Sequence, residues 1–273
     1  MQKKAIDDEL REKKIMLSTH HVWDKEVEDF WRRNDVLLDV TVVIPTNASV
    51  FLAEDAYVQA KEVLLLCNGE SRISSSSANI VRVPWRGHAI TRKQARKYIK
   101  TKYVFFSVQD AFPIGNMLWE LIDEMERGEW DILMPRQVPW PDCHEIDQGR
   151  IRTWTPAHNY VYSMPHADHV GSLYRTQDLL QWSLPNAPIA EDVWWSLGRR
   201  VGCVPWAKIV HSHRFSARAH FKRERAMHAQ LHTLGCISAP SWMSLLQPIF
   251  APRGQKRRVL AESFGQFIGW MER

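Results

Sequence analysis

Cysteine is scarce and scattered in this chain. Cys67, Cys143, Cys203 and Cys236 lie far apart and form no C-x-x-C pair. That argues against a disulfide framework or a zinc knuckle and fits free thiols. No run of about 18 apolar residues occurs, so no segment is expected to span a bilayer. Met1-Gln2-Lys3-Lys4 leads into acidic residues instead of an apolar stretch. No secretory signal is therefore expected, and the chain reads as cytoplasmic. There is no internal repeat. A one-sided charge excess is missing too. The net charge of +5 suits an anionic substrate or a membrane surface but is too small to call for a nucleic-acid partner, and none is expected.

What remains is an ordinary globular composition, 45% apolar and 25% charged over 273 residues. That length suffices for one large α/β domain, or one domain with added elements. The outlier is tryptophan, with 13 copies. Most are expected as packing anchors, because the indole ring buries so much area; a minority are candidates for stacking on sugar rings.

Periodicity divides the chain into three parts. Residues 1–38 form a helical extension in which Trp23, Val27, Phe30 and Trp31 share one stripe. Residues 39–236 form an α/β domain, and residues 237–273 a C-terminal amphipathic helical segment. Within the domain, apolar β-branched runs predict strands at 39–45, 62–67, 80–83, 103–108, 130–134 and 204–210. Helices are expected at 50–60, 91–100, 115–127, 192–200 and 217–231. Alternation at this spacing implies a mostly parallel, Rossmann-like sheet flanked by helices. Ligands of such sheets bind beyond the carboxyl ends of the strands.

Three chemically able groups fall at the ends of these elements. Asp110 follows the strand at 103–108, which Pro113 stops. Glu191-Asp192 opens a helix. His211-Ser212-His213 ends the strand at 204–210, and its two imidazoles point to opposite faces if the strand is regular. Each has a plainer reading. Asp110 could cap a turn, and the acid pair could answer a helix dipole. His213 could simply hydrogen-bond a loop. The Ser212 neighbourhood lacks a G-x-S-x-G elbow, which removes the hydrolase option. Basic residues concentrate at Arg92, Lys93, Arg96, Lys97, Lys100 and Lys102, and again at Arg214, Arg218, Lys222, Arg223 and Arg225. The C-terminal segment lines up Val259, Leu260, Phe264, Phe267, Ile268 and Met271 behind Lys256-Arg257-Arg258. That pattern suits either docking on its own domain or peripheral attachment to a membrane.

Taken in order, these motifs resemble family 2 glycosyltransferases of GT-A fold, in particular their rhamnosyltransferase-like branch, from about residue 40 to 234. The pieces are Val40-Thr41-Val42-Val43-Ile44-Pro45-Thr46, Asn68-Gly69, Gly87 with Thr91-Arg92, Gln109-Asp110-Ala111 with Pro113, Arg136-Gln137-Val138-Pro139, Ala190-Glu191-Asp192 and Val210-His211-Ser212-His213. Val108 stands where the D-x-D signature has its first carboxylate. Cys67 stands where an Asp commonly contacts the nucleotide base.

The resemblance implies a metal-dependent, inverting transfer of a hexosyl or deoxyhexosyl group from a nucleoside-diphosphate sugar to a hydroxyl acceptor. The acceptor would be a bacterial surface glycan or a lipid-linked one. Asp110 and His211 would hold Mn²⁺ or Mg²⁺, hard cations that favour oxygen ligands, with imidazole suiting Mn²⁺. Asp192 would be the base and Glu191 its positioning or acceptor-binding neighbour. Pro45, Thr46, Asn68, Gly69, Arg92, Gln109, His213 and Arg214 would bind the donor, the two arginines on its diphosphate. Arg136, Gln137, Trp194 and Trp195 would meet the acceptor. Peripheral contact with the inner face of the membrane would go with a lipid-linked acceptor. The alternative is a non-catalytic module of the same fold whose basic face binds a partner, a membrane surface or nucleic acid.

Overall fold

The computed structural model describes residues 37–46, 56–68, 77–141, 143–186, 190–212, 217–233 and 256–271. The expected N-terminal helix lies outside them, as does most of the helix expected at 50–60; residues 56–59 of the latter form a turn. Nine strands build one sheet among the described residues. They are β1 (Leu38–Thr46), β2 (Ala60–Asn68), β3 (Asn79–Val83), β4 (Tyr103–Ser107), β5 (Phe112–Ile114), β6 (Ile132–Val138), β7 (Tyr162–Met164), β8 (Gly171–Arg175) and β9 (Val201–Val210). Their order is β3-β2-β1-β4-β8-β6-β9-β5, with β7 also on β9.

Pairing is parallel through β3-β2-β1-β4 and again between β6 and β9. It is antiparallel where β8, β5 and β7 join. The architecture is thus α/β with a mixed central sheet. Because β8 runs against both its neighbours, β4 and β6 point the same way. The carboxyl ends of β1, β2, β4, β6 and β9 therefore share one edge, and the loop that enters β8 opens on it too.

Strand alternation splits the core into two layers. Val42, Ile44, Leu65, Phe105 and Leu133 face one side, where Met117, Leu118, Leu121 and Met125 of α2 (Met117–Arg127) pack. Val43, Leu64, Leu66, Phe106, Ile132 and Met134 face the other. There they meet Ala89 and Ala95 of α1 (His88–Ala95), Leu179 of α4 (Thr176–Gln181) and Trp195 of α5 (Glu191–Ser196). The helix α3 (Glu145–Trp154) precedes β7.

Sequence patterning predicts no strand or helix between residues 135 and 191, yet that stretch supplies α3, β7, the central strand β8, and α4. Two features hid β8. It is only five residues long, and Ser172 and Tyr174 break its apolar pattern although both are buried. Its first residue is glycine for a steric reason. A Cβ on Gly171 would lie 2.8 Å from Pro135 Cγ and 3.1 Å from Phe105 Cζ, so the strand fits between β4 and β6 only without a side chain there.

The C-terminal helix α7 (Lys256–Met271) packs along α6 (Ala217–Thr233). Gly265 makes that approach close. A Cβ there would sit 2.7 Å from the Phe221 carbonyl oxygen and 3.0 Å from Glu224 Cβ. Gln266 Nε2 donates to Glu224 Oε2 at 3.3 Å, and Arg150 of α3 ion-pairs with Glu262. Among the described residues no helix is long and apolar enough to cross a membrane.

Candidate active site

The common carboxyl edge gathers side chains from four strands. Thr46, ending β1, donates its hydroxyl to Gln109 Oε1 at 2.9 Å, tying the end of β1 to the turn after β4. One residue on, Asp110 sits in that turn with its Oδ1 3.7 Å from His211 Nε2. His211 follows β9 and is 6% exposed. Its backbone N–H donates to Val138 O at 3.0 Å, which pins it to the end of β6. Two side chains about 100 positions apart thus meet because their strands end side by side.

Beside Val138, the Gln137 side chain donates to Asp168 Oδ2 at 2.7 Å, while Val170 N–H donates to Asp168 Oδ1 at 2.9 Å. The next residue, His169, donates its backbone N–H to Asp192 Oδ2 at 3.3 Å. A continuous run of contacts therefore leads from Asp110 and His211 through the end of β6 and the loop entering β8 to Asp192.

Under Asp192 lies a buried polar network. Glu191 Oε1 accepts from Arg92 Nη1 and from His169 Nδ1, the latter at 3.3 Å. Because a carboxylate only accepts, His169 donates from Nδ1 on that side, and its Nε2 lies 2.8 Å from the Tyr174 hydroxyl. Arg92, His169 and Glu191 are 3%, 2% and 4% exposed. Burial works to raise the Glu191 pKa, but the Arg92 charge and the His169 hydrogen bond outweigh it and hold the carboxyl at about 2. Asp192 moves the other way. Burial of its carboxyl, the adjacent Glu191 charge and Asp168 all raise its pKa, although part of the residue still reaches the surface. Burial and charge thus push the two neighbouring carboxyl pKa values apart, Glu191 below and Asp192 above the ordinary carboxylate value.

The pair is held by a strained turn. Ala190, just before α5, has φ 58° and ψ 31°, the left-handed region that costs a residue with a Cβ about 1–3 kcal/mol. Among the described residues no other non-glycine has positive φ. Ala190→Gly is expected to relieve this strain. After the entropy glycine forfeits, the gain is about 1 kcal/mol, or about 2–4 °C in melting temperature by scanning calorimetry. An unchanged or lower melting temperature would mean the turn is unstrained.

The structure separates the expected donor and acceptor residues. Thr46, Gln109, Asp110, His211, Gln137 and Asp192 come together on the edge. Pro45 and Asn68 lie at the ends of β1 and β2, and Arg136 and Trp194 are half-buried. Gly69, His213 and Arg214 lie outside the described residues. Three expectations need correction. Arg92, read as a diphosphate ligand, is buried, and its Nη1 pairs with Glu191. Trp195, read as an acceptor surface, is 3% exposed and packs edge-on to Phe106 and His169; it belongs to the core. Glu191 likewise faces inward and is no acceptor contact. Sequence reasoning missed Asp168, His169 and Tyr174. The only signal was a polar Asp-His pair ahead of a short alternating segment.

Among the described residues no group of three or more His, Cys, Asp or Glu side chains gathers to enclose a metal. Asp110 and His211 can offer one oxygen and one nitrogen. That set fits a cation whose remaining positions are filled by diphosphate oxygens and water.

No family model matches the chain, and no curated protein matches it. Solved structures do match in fold. GalNAc-T7 with UDP, GalNAc and Mn²⁺ aligns at TM-score 0.52 and 11% identity, over 82% of this chain. The chain spans only about half of that structure, 52%. A Pyrobaculum calidifontis mannosyltransferase in complex with GDP-Man and Mn²⁺ aligns at TM-score 0.51 and 15% identity, over 96% of this chain and 81% of its own. Glucosyl-3-phosphoglycerate synthase from Mycobacterium tuberculosis, with Mn²⁺, UDP-glucose and phosphoglyceric acid, aligns at 0.50 and 15%, over 73% and 81%. The fold is that of the GT-A glycosyltransferases.

Proposed function

We propose that this chain is a metal-dependent, inverting glycosyltransferase that moves a hexosyl or deoxyhexosyl group from a nucleoside-diphosphate sugar to a hydroxyl of a glycan or lipid-linked acceptor. The observation that carries the reading is the convergence of Asp110, His211 and Asp192 on one edge of a GT-A sheet, from three distant parts of the chain. The neighbours bound to Mn²⁺ with UDP, GDP-Man or UDP-glucose support the donor class. The rhamnosyltransferase-like branch and a role in bacterial surface polysaccharide synthesis at the cytoplasmic face rest on the sequence motifs.

In this mechanism Asp192 accepts the proton of the acceptor hydroxyl as its oxygen attacks the anomeric carbon. The bond from that carbon to the diphosphate breaks on the opposite face, so the configuration inverts. The raised Asp192 pKa makes the carboxylate a stronger base than an ordinary aspartate. Glu191, kept ionised by Arg92 and His169, sustains that rise. The His169 N–H orients one Asp192 oxygen, and Gln137 and Asp168 fix the loop that carries His169. Mn²⁺ or Mg²⁺ between Asp110 and His211 would neutralise charge developing on the departing diphosphate.

The test is thermal stabilisation by UDP-, GDP-, dTDP- and CMP-sugars with Mn²⁺, Mg²⁺ or EDTA. A ligand present at a hundredfold excess over its Kd stabilises by about 2.7 kcal/mol, about 5–10 °C here. One nucleotide class is expected to raise the melting temperature, with the rise lost in EDTA. Asp110→Ala is expected to remove the metal-dependent part while the unliganded protein melts as before. Silence from every donor at millimolar concentration would refute the transferase reading and leave a non-catalytic binding module.

A further inference from the structure

The C-terminal helix is docked inside out. A helix on a globular protein normally turns its apolar stripe to the core and its polar face to water. In α7 the residues that meet the domain are small or polar: Gly265 against α6, Gln266 on Glu224, Glu262 on Arg150, and the buried Ser263. The opposite side carries Leu260, Phe264 and Met271, which are 43%, 46% and 48% exposed. Their spacing of four and seven residues keeps all three on one line along the helix. Half-buried Phe267 and Ile268 flank them.

The charges follow the same division. Arg218 and Lys222 on α6 and Arg257 on α7 are exposed. The described acids of the two helices, Glu224 and Glu262, are turned inward against His228, Gln266 and Arg150. The outer surface of the pair is therefore apolar and cationic, with no exposed acid among its described residues.

We infer that the outer face of the α6–α7 pair is a docking surface for an anionic lipid bilayer. Leu260, Phe264 and Met271 would enter the boundary between headgroups and acyl chains, and the exposed arginines and lysine would lie against acidic headgroups. The charge pattern selects this occupant over a second copy of the chain. Two such faces would bring like charges together around an apolar stripe, which electrostatics opposes. The inference stands apart from the sugar-transfer reading, since no residue of the candidate active site takes part in it.

The experiment is flotation of the full chain with vesicles of phosphatidylcholine, with or without phosphatidylglycerol. Binding is expected only to the anionic vesicles and should weaken at high salt. Leu260→Ser/Phe264→Ser is expected to lower partitioning at least about tenfold, with an unchanged circular dichroism spectrum and donor-induced thermal shift. Because both side chains point away from the domain, the fold should survive. A second variant, Arg218→Gln/Lys222→Gln, should lose the preference for anionic vesicles while keeping the apolar stripe. Three results would overturn the inference. They are no flotation of the parent chain, undiminished flotation of Leu260→Ser/Phe264→Ser, or a dimer of the parent chain that this variant dissociates.

Discussion

Asp192→Asn is expected to lower the turnover of sugar transfer by about 10²–10⁴-fold, the range that general-base catalysis supplies, while leaving donor affinity in Mn²⁺ unchanged. Asparagine keeps the side-chain shape and an oxygen for the His169 N–H, so what is lost is the proton acceptor and the bond from the Val193 N–H to the other oxygen, 2.9 Å in the parent. Two further readouts separate this outcome from damage to the fold. The first is pH. Because the Asp192 pKa lies above the ordinary 3.8, transfer should fall as pH drops through that raised value, and the variant should lack this limb. The second is stability. A carboxyl whose folded pKa is raised is disfavoured in its charged form, so at neutral pH the ionised Asp192 destabilises the native state. Its neutral replacement removes that penalty but loses the Val193 bond, so the variant should melt close to the parent temperature. Donor affinity falling in step with turnover would remove Asp192 from the base role.

Arg92→Met carries the largest expected effect on stability. It leaves Glu191 buried without its cation, and breaking a buried ion pair from one side costs about 3–5 kcal/mol. At about 2–4 °C per kcal/mol for a chain of this size, the melting temperature should fall by about 6–20 °C. The sign of the pH dependence follows from Glu191. Its folded pKa of about 2 lies below the ordinary 4.5, so its stabilisation is present above about 4.5 and is lost as pH falls towards 2. In the variant the carboxyl takes a proton more readily, so the gap between the two melting curves should narrow from pH 7 to pH 4. Adding Glu191→Gln to Arg92→Met should recover part of the loss, because the stranded charge is gone. If Arg92 instead bound the diphosphate, the variant would melt normally and lose donor affinity, and the packing account would fall.

This pair of expectations shows why adjacent acids with the same local sequence signal are not interchangeable. Glu191 and Asp192 both open α5 and both answer a helix dipole. Consecutive helical residues point about 100° apart, and that rotation sends one carboxylate to Arg92 beneath the sheet edge and the other to the loop holding His169. Nothing in the dipeptide says which side carries the buried cation.

The strands that position the site were legible because their signals are local. Runs such as Val40 to Ile44 and Tyr103 to Phe106 are apolar and β-branched or aromatic. Alternation with helices implies a layered α/β domain, so Asp110 and His211 could be placed at strand ends before any contact was known. The position of Asp192 at a helix start was legible in the same way. Those features depend on residues within about ten positions of one another.

What depended on distant residues was not legible. That β8 lies between β4 and β6, and runs against both, follows from a fit of Gly171 between Phe105 and Pro135 that no local pattern records. Its direction brings Asp168 and His169 to the active edge, and their partners Gln137 and Asp192 are 31 and 23 positions away. Arg92 looked like an anion ligand because a cation near a glycine turn suits one. Burial next to Glu191, 99 positions on, gave it another partner. The C-terminal stripe shows the same limit. The sequence by itself determined that the C-terminal segment carries an amphipathic helical pattern. Only the tertiary structure decided that Gly265 would seat the helix by its narrow polar side and turn Leu260, Phe264 and Met271 outward. Periodicity is a property of neighbours along the chain, whereas the choice of which face is buried belongs to the surface it meets.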